Sequence, residues 1–70
     1  MMIDLLVFVR QDATLRRIEE VAKEVAAAGL EVTASSPSLS VVAGRVANRD
    51  VIARLRAIKD VVAVREPQPK

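Results

Sequence analysis

Ile3, Leu5, Val7 and Val9 alternate with Asp4, Leu6, Phe8 and Arg10, a period of two that predicts a strand over residues 3–9. Leu6 and Phe8 give that strand an apolar second face. The period then lengthens: Leu15, Ile18, Val21 or Ala22, and Val25 recur at helical spacing, behind Asp12 or Thr14 as cap. Arg16–Glu20 and Glu19–Lys23 form i,i+4 pairs for the wet side of this helix, and Gly29 is placed to end it. Leu30, Val32 and Ala34 alternate with Glu31, Thr33 and Ser35 as a half-buried strand, and Ser35-Ser36-Pro37-Ser38 is turn chemistry. A third strand over 39–46 has an ambiguous phase. Leu39, Val41 and Ala43 lie on one face and Val42 and Val46 on the other, with Gly44 marking a bulge or a close backbone approach. Asn48 can cap a second helix with Ile52, Leu55 and Ile58 on its buried stripe, Asp50–Arg54 as an i,i+4 pair, and Lys59-Asp60 at its close. Val61 to Val64 is the last strand, and residues 66–70 form an extended, proline-stiffened tail.

The order β-α-β-β-α-β, with right-handed crossovers, implies an α+β, ferredoxin-like sandwich. It has a four-stranded antiparallel sheet and two helices on one face. Residues 1–66 form the single domain and 67–70 its tail. The first and third strands are central in this layout. A solvated sheet face should read polar, yet these two strands are apolar on both faces. Leu6 and Phe8 therefore point to the open side, with either Val42 and Val46 or Leu39 and Val41 beside them. Such a patch is the pattern of an interface, and a homodimer would satisfy it as well as a foreign partner.

Composition narrows the chemistry. The chain has 70 residues, no Cys, no His, no Tyr and one aromatic residue, Phe8. No disulfide or Cys-based metal site can staple the fold. Eleven basic and nine acidic residues leave a net charge of +2, which does not argue for nucleic acid, although Arg45, Arg49, Arg54, Arg56, Lys59 and Arg65 make the second half basic. One aromatic side chain is no platform for stacking bases. No segment reaches the roughly 20 apolar residues that span a bilayer, so no membrane partner is expected, and a natural start at Met1 implies the cytoplasm.

Catalysis at neutral pH usually needs a tunable proton carrier or an activated nucleophile. With no His, Cys or Tyr, no P-loop, no GxGxxG and no metal-ligand spacing, the expectation is a protein that is not an enzyme and takes no cofactor. Acylphosphatases share the topology and use an Arg after the first strand with an Asn elsewhere, which Arg10 and Asn48 superficially match. Their Gly-rich phosphate loop is missing, because Gln11-Asp12-Ala13-Thr14 has no Gly and carries a carboxylate.

Ser40-Val41-Val42-Ala43-Gly44-Arg45-Val46, a helix ending Leu55-Arg56-Ala57-Ile58-Lys59-Asp60, then Val61-Val62-Ala63-Val64-Arg65-Glu66, resembles the propeptides of subtilisin-like serine proteases. It is equally similar to the free-standing proteinase inhibitors related to them. Leu5-Leu6-Val7-Phe8-Val9 and Ala28-Gly29-Leu30-Glu31-Val32 fit the same pattern, so the resemblance covers nearly the whole chain. It implies a domain that inhibits a subtilisin-like protease or assists its folding. The open sheet face would dock on the protease, and the C-terminal tail would lie in its cleft as an added strand. The binding residues would then be Leu6, Phe8 and Val42 on the sheet, with Glu66, Pro67, Gln68, Pro69 and Lys70 after it. Two departures stand out: only Glu66 remains of the carboxylates that often follow the last strand in this family, and the tail is short. The competing reading is a homodimeric assembly or regulatory module of ACT type. ACT modules place a Gly-containing ligand loop after the first strand, which Gln11-Asp12-Ala13 lacks.

Overall fold

A computed structural model of the chain describes residues 2–67. Strand β1 (Ile3–Val9) leads to helix α1 (Leu15–Ala28), strand β2 (Glu31–Ser36), a 3-10 turn (Pro37–Leu39), strand β3 (Val41–Val46), helix α2 (Asp50–Arg56) and strand β4 (Val61–Arg65). The sheet order is β2-β3-β1-β4, and every neighbouring pair is antiparallel. The fold is α+β and ferredoxin-like, with β1 and β3 central.

The core explains why the helices lie where they do. Leu5, Val7 and Val9 from β1 and Val42 and Val46 from β3 meet Ile18, Val21 and Val25 from α1 and Val51 and Leu55 from α2 in one buried cluster. These side chains are all branched aliphatics, which suit a close-packed layer between sheet and helices. Ile52 and Ile58 are only half-buried beside Val51 and Leu55, so the buried stripe of α2 is turned slightly from the one its spacing predicts.

Caps decide the ends of α1. Thr14, not Asp12, is the N-cap: its hydroxyl accepts from the Arg17 N–H at 3.1 Å. At the other end Gly29 takes φ 122°, and Leu30 N donates to Val25 O at 3.0 Å, which closes the last turn. The N-cap position of α2 is Arg49, which makes no side-chain cap hydrogen bond; Asn48 lies one residue earlier, and its Oδ1 accepts from Asp50 N at 3.0 Å.

Two local departures set the phase of the sheet. A bulge between Val32 and Ala34 flips the alternation of β2, so Leu30 is buried while Ala34 turns to the open side opposite Ala43. Ser40, in the left-handed region at φ 54°, separates the 3-10 turn from β3 and is itself buried; its carbonyl accepts from Val9 N at 2.8 Å. Leu39 therefore lies outside the strand, and β3 begins at Val41. Gly44 marks a close approach: a Cβ there would come within 2.5 Å of Glu31 O and 2.7 Å of the Leu30 side chain.

Candidate interaction face and its surroundings

The strand registers define three cross-strand rows on the face away from the helices. Ser36, Val41, Phe8 and Ala63 make one row, and Ala34, Ala43, Leu6 and Arg65 make the next. Glu31, Arg45 and Asp4 make the third, with Arg45 Nη2 3.4 Å from Glu31 Oε1. Two apolar rows thus lie beside a charged one. The small side chains of Ala34, Ala43 and Ala63 lie beside the larger Leu6, Phe8 and Val41.

At the Phe8 end the patch opens into a groove of about 590 Å³ lined by Phe8, Leu39, Val62 and Ala63, with Arg10 and Arg65 among its polar neighbours. Leu39 and Val62 are 69% and 64% exposed, the highest values among the large hydrophobic residues described. Backbone irregularity accounts for both. Leu39 sits on the 3-10 turn that ends at left-handed Ser40, and Val62 is the extra residue where the β1–β4 register shifts between Phe8 and Val9.

The binding residues read from the sequence separate under this geometry. Leu6 and Phe8 lie half-buried on the open face. Val42 does not join them: it is fully buried against the helices, because β3 runs in the phase that sends Val42, Gly44 and Val46 inward. Val41 takes the place beside Phe8. Glu66 is turned toward α2, where Arg49 Nη1 donates to its Oε2 at 3.0 Å, and it shares a shallow hollow with Leu5 and Ile52 on that side. Pro67 is exposed, and Gln68, Pro69 and Lys70 lie outside the described residues.

The ion-pair pattern differs from the one the spacing predicts. Arg16–Glu20, Glu19–Lys23 and Asp50–Arg54 do not approach within 4 Å; Arg17 collects the contacts instead. Its Nε donates to Asp60 Oδ2 at 2.7 Å, its Nη1 to Glu24 Oε2 at 2.8 Å and its Nη2 to Lys59 O at 3.1 Å. Arg10 donates to Asp12 at 2.7 and 3.0 Å and to Asp60 Oδ1 at 3.3 Å. The hydrogen bond from Arg17 holds the Asp60 carboxyl below its ordinary value, and that from Arg10 does the same for Asp12.

This network answers the phosphate-site comparison. Two carboxylates occupy the Arg10 guanidinium, and an anion would have to displace them. Asn48 follows β3, whose last residue Val46 pairs with Ile3, so it lies at the far end of the sheet from Arg10. Among the described residues no three His, Cys, Asp or Glu side chains come together as a metal site would need. No helix described is long and apolar enough to cross a membrane. Comparison with known proteins found no match: no family model, no curated protein and no solved structure.

Proposed function

We propose that this chain is a propeptide-like binding domain that inhibits a subtilisin-like serine protease, or assists its folding, through the open face of its sheet and its C-terminal tail. The observation that supports it is the pair of apolar cross-strand rows centred on Phe8, Leu6 and Val41. A sheet face left uncovered by helices gains about 25 cal/mol for each Å² of apolar surface a partner removes from water. The small side chains at Ala34, Ala43 and Ala63 let helices of a partner lie close across it. β4 ends at Arg65, which pairs with Leu6, and prolines in the residues that follow lower the cost of an extended pose.

The test is titration of a subtilisin with the purified domain, with Phe8→Asp and a deletion of residues 67–70 in parallel. Dose-dependent inhibition that both variants weaken is the expected result. An inhibition constant unmoved by the deletion overturns the role of the tail. No inhibition at high concentration, from a domain that survives intact, overturns the reading and favours self-association through the same face, which a mass measurement in solution then decides.

A further inference from the structure

Among the described residues, the order β2-β3-β1-β4 leaves β4 with a neighbour on one side only. Alternate backbone N–H and C=O groups along Val61–Arg65 therefore face away from the molecule, as a template for another strand. A groove of about 550 Å³, lined by Arg56 and residues 61–65, runs along this edge. Arg10, Arg17, Arg45 and Arg49 each have a carboxylate at 2.7–3.4 Å. Arg56 and Arg65 have none within 4 Å among the described residues. They also lie on opposite sides of the sheet. Arg65 pairs with Leu6 and so belongs to the open face, whereas Arg56 reaches the edge from α2 on the covered face.

We propose that the free edge of β4 accepts an extended acidic segment of a partner protein as a fifth strand, with neighbouring carboxylates of that segment meeting Arg65 on one face and Arg56 on the other. Successive side chains of a strand point to opposite faces. Two adjacent acidic residues therefore reach both arginines, whereas two acidic residues spaced i,i+2 reach only one face. A second copy of this chain fits poorly, because pairing β4 with β4 sets two basic edges side by side. A nucleic acid would meet the charges but leave the row of backbone groups unpaired. β2 is the weaker template for an acidic segment, since it carries no basic residue and its one charge is Glu31, already matched by Arg45. The register shift at Val62 confines regular pairing to Ala63–Arg65, which makes the contact short and dependent on its two charges. The proposal does not rest on the apolar patch around Phe8 or on a protease partner.

The test uses the nitrogen-15-labelled full chain and three capped synthetic peptides of alternating Thr and Val. One carries two adjacent Glu at its centre, one carries the same Glu spaced i,i+2, and one carries Gln in place of Glu. The adjacent-Glu peptide is expected to shift the amides of Val61–Arg65 saturably, to bind about fivefold more tightly than either of the others, and to lose that advantage with Arg56→Glu or Arg65→Glu. Equal binding of the three peptides, shifts centred on β2 or the open face, or no shift at millimolar peptide overturns the proposal. The last outcome would leave the two arginines as guards against edge-to-edge pairing.

Discussion

Arg17 grips the turn before β4 twice, donating from Nε to the Asp60 carboxylate at 2.7 Å and from Nη2 to the Lys59 carbonyl at 3.1 Å. The two residues of the ion pair are 43 positions apart, and Asp60 is mostly buried while adopting φ 72°. The first turn of α1 is thereby fastened to the start of the last strand. Arg10, at the end of β1, bonds the same carboxylate, and its N–H donates to the Asp60 carbonyl at 2.9 Å.

Acid should loosen this clasp. A carboxyl whose folded value is depressed stabilises the fold fully above its unfolded value, near pH 4, and loses that contribution as pH falls through the folded value. The urea midpoint of the wild-type chain is expected to drop as pH is lowered from about 5 toward 2. Asp60→Asn should lower the midpoint at neutral pH and flatten that decline, and Asn is a fair choice because it tolerates the left-handed backbone. Asp12, held down by Arg10, keeps part of the slope in the variant. Parallel pH profiles for the two proteins would separate Asp60 from acid stability.

Phe8 and Val42 should respond oppositely to a charge, although both belong to apolar central strands. Phe8→Asp places a carboxylate on the half-solvated face and should cost about 1–2 kcal/mol, from lost partial burial and strand propensity, while removing partner binding. Val42→Asp buries the same charge among aliphatic side chains and should cost more than about 3 kcal/mol. Circular dichroism with urea titration checks both, and a Val42→Asp protein as stable as the wild type would refute the assigned phase of β3.

Gly44→Ala adds one methyl group in the middle of a strand and is expected to destabilise by about 1–3 kcal/mol. The new Cβ meets the Glu31 carbonyl oxygen at 2.5 Å, a backbone atom that cannot swing aside. Shortening Leu30 to Ala in the same chain removes only the side-chain half of the conflict, so the double variant should recover none of the backbone cost. Denaturant midpoints of the single and double variants decide it.

Leu55→Ala should cost about 2–5 kcal/mol, because Leu55 is fully buried at the centre of the helix-to-sheet contact. A 70-residue domain has about 4–10 kcal/mol in total. The variant is expected to melt well below the wild type by calorimetry, and an unchanged melting temperature would contradict the packing described for α2.

The alternation in β1 and the 3.6-residue spacing in α1 were legible because each pattern is long and uninterrupted. The element order followed from them, and the central place of β1 and β3 followed from the order. β2 misled where the bulge at Thr33 turned Ala34 to the opposite face, a one-residue event that no side-chain pattern announces. Val42 was misplaced for a related reason. Val41, Val42, Ala43 and Val46 supply apolar residues in both phases, and only Gly44, packed under Leu30, distinguishes them. The open face at Leu6 and Phe8 could be read directly, whereas Val62 reaches it only through a shift in register. The Arg17–Asp60 clasp was hidden because i,i+4 rules address neighbours on one helix, and this pair joins residues 43 apart.

Because β1 and β4 are antiparallel, with Leu6 beside Arg65, β1 opens at the end of the sheet where β4 closes. Adjacent ends are what a domain needs to be inserted into a surface loop of a host, or to have its ends joined and a new break made elsewhere. The exposed turn at Pro37–Ser38 is the natural place for such a break, because cutting there leaves the β1–β3 and β1–β4 ladders whole.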